Sequence, residues 1–140
     1  MADETNQLRV RLVTPERTLF EHAVSAVELP AKSGYMEVLY GAAPLVAELG
    51  AGDVIVHSGP DGDQHYNVSW GFAEVLPDRV TILASDALKP EEIDVPRAQQ
   101  QLERGHKQWS EAGASEEAYT QALRVIAEAE AKLATAAEKR

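Results

Sequence analysis

The hydrophobic pattern of this sequence changes its period at Lys89-Pro90, and that change limits the fold more than any other feature. Residues 1–88 contain thirteen Val and Ile and seven Gly, whereas residues 89–140 contain four Val and Ile and two Gly. β-branched residues favour strands, and Gly favours the turns between strands. The sequence therefore predicts two domains, a β domain over residues 1–88 and a helical domain over residues 89–140.

The first domain consists of short apolar runs separated by turn-forming residues. In the first run Leu8, Val10 and Leu12 alternate with arginines, which gives one buried face and one exposed face. Gly and Pro occupy connections such as 50–52 and 58–63, and no helical segment lies between the runs. We therefore predict an antiparallel β-sandwich. The predicted strands are residues 8–13, 24–29, 35–40, 44–49, 53–57, 65–70, 72–76 and 79–84.

The second domain has the helical period. Asp94 suits an N-cap with Pro96 in the first turn, and this helix is predicted to end near Gly113, before Ser115 caps a second helix. Alanines dominate both apolar faces, and a buried methyl group removes far less area than Leu at roughly 25 cal/mol per Å². We predict an α+β protein whose C-terminal antiparallel two-helix hairpin is weakly packed. The predicted apolar faces are Val95, Ala98, Leu102 and Trp109, and then Tyr119, Ala122, Leu123, Ile126 and Leu133.

Charge and composition exclude several classes of function. The chain has 23 acidic and 13 basic residues, and a formal net charge of -10 repels nucleic acid and anionic lipid. There is no Cys for a disulfide or thiolate site, and no apolar run is long enough to span a bilayer. The first residues, 1–4, lack the features of a signal peptide. We therefore expect a cytoplasmic protein that binds neither nucleic acid nor, directly, the membrane.

Catalytic and metal motifs are weak. His57 and His65 flank the 58–64 turn and could meet across a hairpin with Asp61 or Asp63, but surface strand residues are the better interpretation, so we expect no metal site. There is no Gly-x-Ser-x-Gly elbow and no phosphate loop, so we expect no catalytic residues. The sequence indicates a module that docks. A ligand-binding sandwich using the aromatics 66, 70 and 72, a hairpin adaptor and a small hydrolase stay open as alternatives.

Several segments, taken in order, resemble one family. They are Val13-Thr14-Pro15-Glu16 with Leu19-Phe20, Gly41-Ala42-Ala43-Pro44-Leu45, Gly71-Phe72-Ala73-Glu74-Val75, Asp78-Arg79-Val80-Thr81-Ile82-Leu83-Ala84, and Ile93-Asp94-Val95-Pro96-Arg97-Ala98. Together they resemble the epsilon subunit of the bacterial F-type ATP synthase over almost the whole chain. Two segments depart from the family pattern: Gly34-Tyr35-Met36-Glu37-Val38 replaces Gly-Glu-Leu-Gly-Ile, and Ala42 replaces a His.

The resemblance implies a non-catalytic subunit of the central stalk. The sandwich is then expected to bind the gamma subunit and the c-ring of a proton-translocating synthase, at the cytoplasmic face of the inner membrane. The helices are expected to inhibit ATP hydrolysis by the catalytic alpha and beta subunits. Candidates for inhibitory contacts with acidic surfaces are Arg97, Arg104, Lys107, Arg124 and Lys132.

The resemblance also implies ATP as a regulatory ligand, although no cofactor is required. Members of the family that bind ATP use residues of the helix-start motif and further arginines. Glu128 and Lys132 stand where those members have an Arg pair, and Leu88 stands where they have an acid. The candidate ATP-binding residues carried over by spacing are Asp94, Arg97, Ala98 and Arg104.

Overall fold

The computed structural model describes residues 7–138, which form seven β-strands, a short 3-10 helix and two α-helices. They separate into two compact units, the first ending at Lys89 and the second beginning at Pro90. The strands are β1 (Leu8–Val13), β2 (Thr18–Val24), β3 (Ala26–Ala31), β4 (Gly34–Leu39), β5 (Leu45–Gly59), β6 (Gly62–Leu76) and β7 (Arg79–Leu88). The helices are the 3-10 helix Pro90–Glu92, α1 (Val95–Glu111) and α2 (Glu116–Glu138).

The strands form one hydrogen-bonded sheet in the order β2-β1-β7-β6-β5-β3-β4. β1 pairs with β7 in parallel, and the other described pairs are antiparallel, so the predicted sandwich is confirmed with one parallel pair. All seven strands contribute buried side chains to a single core. The sheet closes over that core, since Phe20 of β2 and Tyr66 of β6 bring their ring centroids within 5.9 Å.

Two pairs of predicted strands are single strands in the structure. The predicted strands 44–49 and 53–57 are both parts of β5, and 65–70 and 72–76 are both parts of β6, which makes β5 and β6 15 residues long each. The predicted turn 50–52 was therefore wrong. Gly52 is needed for a different reason: a Cβ there would lie 2.6 Å from the Tyr35 hydroxyl and 2.8 Å from Pro30 Cβ.

One strand was missed by the sequence analysis. β2 buries only Phe20 and Val24 among its seven residues. Its apolar and polar residues therefore do not alternate along the sequence, and alternation is the signal by which strands are predicted. The predicted strand 24–29 shifts accordingly to β3, which starts at Ala26.

β6 turns sharply in its middle at Trp70 and Gly71, where φ is +59° and +132°. A Cβ on Gly71 would collide with the Leu83 carbonyl oxygen of β7. Only Gly fits both the backbone conformation and the close approach of the neighbouring strand. This bend lets β6 continue around the core without ending.

The helical unit has the predicted caps. The Asp94 carboxylate accepts a hydrogen bond of 3.1 Å from the Arg97 backbone N–H, and the Ser115 hydroxyl accepts one of 3.2 Å from the Ala118 N–H. Gly113 adopts φ +57° in the connection. The predicted hairpin is therefore confirmed, with its helix boundaries close to those expected.

Small residues form the buried surface of the hairpin. Gly105 allows the helices to approach so closely that a Cβ there would lie 2.8 Å from Ile126 Cγ1. Four residues of the predicted apolar faces are exposed instead: Val95 by 37%, Trp109 by 46%, Tyr119 by 42% and Leu123 by 44%. The buried positions of α1, its C-cap and α2 are Ala98, Gly105, Ala112, Ala122, Ala129 and Thr135.

Candidate functional site

An apolar surface covers part of the outer face of the sheet. Phe72 and Leu83 are direct cross-strand partners, and Leu83 is in turn paired with Val13 of β1. Phe72 and Leu83 are each 54% exposed. Val46 of β5, which pairs with Glu74 and so lies diagonal to Phe72, is 69% exposed. We call Val13, Val46, Phe72 and Leu83 the apolar row.

The apolar row borders a shallow groove. The groove has a volume of about 420 Å³ and includes Val13, Pro15, Phe72 and Leu83 among its walls. Aromatic and aliphatic side chains that remain exposed on adjacent strands are typical of protein interfaces. Phe72 therefore fits the role of an interface residue, whereas Trp70 next to it is half-buried.

A second apolar segment follows β4. Leu39, Tyr40 and Leu45 are 54%, 45% and 41% exposed, on either side of the Gly41 turn. The Gly41 N–H donates a hydrogen bond of 2.6 Å to the Pro77 carbonyl, which holds this turn against the β6–β7 connection. We call residues 40–45 the Gly41 loop. The loop is held near its start by this hydrogen bond and at its end by the pairing of Leu45 with Val75 of β6.

The candidate regulatory residues occupy both helices. Arg97, Arg104 and Lys107 are exposed and lie at intervals of seven and three residues, so they share one face of α1. Arg124 is exposed on α2, and Lys132 is half-buried there.

The candidate ATP residues differ in their surroundings. The carboxylate of Asp94 is engaged as the N-cap, and Ala98 is only 2% exposed. Arg97 and Arg104 present their guanidinium groups to solvent. The arginines are thus the accessible part of the set, while Asp94 and Ala98 shape the start of the helix.

The two strand histidines contact different carboxylates. His57 Nδ1 lies 3.1 Å from Asp63 and its Nε2 lies 2.6 Å from Glu28, whereas His65 Nδ1 lies 3.4 Å from Asp53. The contact between His57 and Asp63 is one of those considered from the sequence, and His65 contacts Asp53 instead. Glu28 was missed because only the pairing of β3 with β5 brings it near.

The contacts of His57 shift two pKa values. The hydrogen bond to Glu28, followed by that to Asp63, raises the pKa of His57 above 6.5. A hydrogen bond of 2.8 Å from the Ser58 N–H, followed by the one from His57, lowers the pKa of Asp63 below 3.8. Glu37 and His65 are the other titratable groups on the neighbouring strand positions.

These shifts predict a pH-dependent stability. A raised folded-state pKa stabilises the protein below the unfolded value of 6.5, and this contribution disappears as the pH rises through the folded value. The Asp63 contribution is present above 3.8 and is lost as the pH falls. We expect His57→Gln to destabilise the protein most near pH ~5.5 and least at pH ~8.5. Urea denaturation of both proteins at the two pH values measures this, and a difference independent of pH would contradict it.

Comparison with known proteins identifies the family. Residues 7–90 match the model of the ATP synthase delta/epsilon chain β-sandwich domain. The ATP synthase epsilon chain of Solibacter usitatus is 40% identical over 132 residues, which cover 94% of this chain and 97% of that protein. The epsilon chain of Koribacter versatilis is 41% identical over 102 residues, covering 73% of this chain and 71% of that one. The chain belongs to the epsilon-chain family of ATP synthase.

A solved structure supports the same assignment. A chain of the Euglena gracilis mitochondrial ATP synthase, in a structure described as OSCP/F1/c-ring, is similar with a TM-score of 0.77 and 25% identity. The match covers 95% of this chain and 82% of that one. The resemblance found in the motifs is therefore confirmed, and an epsilon chain is a non-catalytic subunit. Within residues 7–138, the helices are too short or too polar to cross a bilayer.

Proposed function

We propose that this epsilon chain is a central-stalk subunit that couples the gamma subunit to the c-ring and inhibits ATP hydrolysis through its helices. The observation that carries the proposal is the exposed apolar row on a sandwich of this family, with Phe72 and Leu83 each 54% exposed. A row of this kind is stabilised by burial against a partner protein. The complex would hold the chain at the cytoplasmic face of the inner membrane.

The sandwich offers two surfaces for two partners. The apolar row crosses adjacent strands, with Val46 diagonal to Phe72, and a surface of this width suits a long partner such as the gamma subunit. The Gly41 loop is a smaller surface than the apolar row, and its exposed side chains are Tyr40 and Leu45. A small surface of this kind suits contact with the loops of a c-ring. Ala42 carries no polar group at the position where the family has a His, so contact through this loop depends on Tyr40 and Leu45.

The docking proposal predicts a specific loss of assembly. Phe72→Glu places a charge at the centre of the apolar row, and because the position is exposed, the fold should stay intact. Buried aromatic anchors contribute about 2 kcal/mol or more to binding, so we expect at least a tenfold weaker association with the gamma subunit. Pull-down and titration with purified gamma subunit measure it. Gln64→Glu is the matched control and should bind normally, because it adds an equal charge at the other end of β6 and keeps an oxygen that accepts from the Tyr66 hydroxyl. Equal binding by both variants would refute the apolar row.

Inhibition is proposed to come from a change in the hairpin. The buried surface between the helices is made of Gly, Ala and Thr side chains, whose burial contributes little free energy. A weakly packed pair of helices can separate when a partner binds the opened form better. A shift from 1:99 to 99:1 needs about 5.5 kcal/mol of differential binding. The exposed cations of α1 then provide charges for acidic surfaces of the alpha and beta subunits.

Removing the helices tests this role. A chain truncated after Leu88 retains all seven strands and the core. We expect it to assemble and support ATP synthesis, while hydrolysis by the complex rises several-fold because the inhibitory element is gone. Amide dispersion in an NMR spectrum of the fragment shows whether it folds. If a folded, assembled fragment left hydrolysis unchanged, the helices would not inhibit in this protein.

ATP is proposed as a ligand that favours the closed hairpin. Arg97 and Arg104 lie on one face of α1, close enough in rotation to contact phosphates together. Asp94 already fixes the start of the helix by capping it. Glu128 on α2 adds negative charge where the family has an Arg, so the affinity should be lower than in Arg-paired relatives.

Calorimetry distinguishes the ATP proposal from a purely structural role of the helix start. We expect wild-type protein to bind MgATP weakly and Arg97→Ala to bind at least tenfold more weakly, because one charged phosphate contact is lost. Arg79→Ala removes an exposed guanidinium from β7 and serves as the control. No heat at millimolar nucleotide, or equal binding by the Arg97 variant, would leave Asp94 and its neighbours as a helix cap alone.

A further inference from the structure

Three side chains capable of binding metal lie together on the outer face of β3, β4 and β5. One ligand atom from each of Glu28, Glu37 and His57 falls within 4.8 Å of the other two. Glu28 and Glu37 are direct cross-strand partners, and His57 is paired with Ala26, two positions along the same strand as Glu28. Sheet pairing therefore fixes all three positions.

The two glutamates form an unfavourable pair in isolation. Like charges directly opposite each other on adjacent strands destabilise a sheet. Within the described part of the chain, the carboxylate of Glu37 has neither an ion-pair nor a hydrogen-bond partner, whereas that of Glu28 contacts His57. Asp63 adds a third carboxylate nearby through its contact with His57. The cluster is thus strongly anionic, and a cation between the glutamates would offset their repulsion.

The imidazole of His57 is oriented as in many metal sites. Its Nδ1 contacts Asp63 at 3.1 Å, and Asp63 is itself held by the Ser58 N–H at 2.8 Å. A metal-binding His commonly donates its other ring N–H to a carboxylate, which fixes both tautomer and ring plane. When Nδ1 carries the proton, the Nε2 lone pair points at the Glu28 oxygen 2.6 Å away. A lone pair and a carboxylate repel at that distance, so a proton on Nε2 makes the hydrogen bond to Glu28, and a metal ion would take the place of this proton.

We propose that Glu28, Glu37 and His57 bind a divalent transition-metal ion of the Zn²⁺ class, with Asp63 as the positioning residue for His57. One imidazole and two carboxylates match the preferences of Zn²⁺ better than those of Mg²⁺ or Ca²⁺, which favour oxygen ligands alone. Three protein ligands leave a fourth position for water. On binding, the ion takes the Nε2 lone pair, and any proton held there leaves to solvent.

The required adjustment is small. Bonds of about 2.0–2.2 Å in a tetrahedral site place ligand atoms about 3.4 Å apart. The Glu28 oxygen must withdraw from His57, and the Glu37 carboxylate must approach. Glu37 is exposed, and the side chain of Glu28 is 33% exposed, so both can change rotamer without disturbing the core.

Titration of the full-length protein with ZnCl₂ tests the proposal. We expect one saturable ion per chain by calorimetry and a large change in the ¹⁵N shift of His57 Nε2, which reports direct coordination. His57→Gln should abolish this binding, and Glu37→Gln should weaken it at least tenfold. MgCl₂ at the same concentration should cause neither effect.

Matched variants separate this site from general surface binding. Glu74→Gln removes an exposed carboxylate on β6, and His65→Gln removes the neighbouring His, and both should bind Zn²⁺ as the wild type does. Circular dichroism before titration confirms that each variant is folded. The proposal would be overturned by absence of saturable binding, or by folded His57→Gln and Glu37→Gln proteins that bind Zn²⁺ with unchanged affinity.

Discussion

The close contact of β6 with β7 at Gly71 is the constraint on which the sandwich depends. With φ +132° and no Cβ to collide with the Leu83 carbonyl, Gly71 lets a 15-residue strand change direction without losing its partners. Val75 and Ala73 on one side of the bend and Val68 and Tyr66 on the other therefore enter the same core. The bend also places Phe72, directly after it, on the outer face, so one backbone feature shapes both the core and the proposed docking surface.

The sequence predicted those parts of the fold that rest on local chemistry. Alternation in β1, the Asp94 and Ser115 caps and the Gly113 connection depend on residues within a few positions of each other. The errors arose where distant segments decide the structure. Residues 50–52 read as a turn because two glycines usually make one, yet Gly52 is required by Tyr35 and Pro30 from β3 and β4.

The candidate sites differ in the same way: some depend on local sequence, and others depend on segments that are distant in sequence. Exposed arginines of α1 could be predicted from helical spacing, and the family motifs located the sandwich and hairpin segments. The arrangement of Glu28, Glu37 and His57 could not, because it depends on the register of three strands and the residues are 9 and 20 positions apart in sequence. Nor could the exposure of Trp109, since Gly105 brings the helices together at a point that leaves the large side chains outside.

The two units differ in the size of their buried apolar surface, and therefore in the free energy needed to open them. Among residues 7–138, nineteen buried residues from seven strands make the sandwich core, and a long-range core of this kind unfolds as a whole. The hairpin buries mainly Ala and Gly, so its closed form is stabilised by close backbone approach and caps more than by area. The caps at Asp94 and Ser115 are local to each helix and survive if the helices separate. Opening would therefore cost the small contacts between helices and leave both helices intact, which is the property a reversible regulatory element needs.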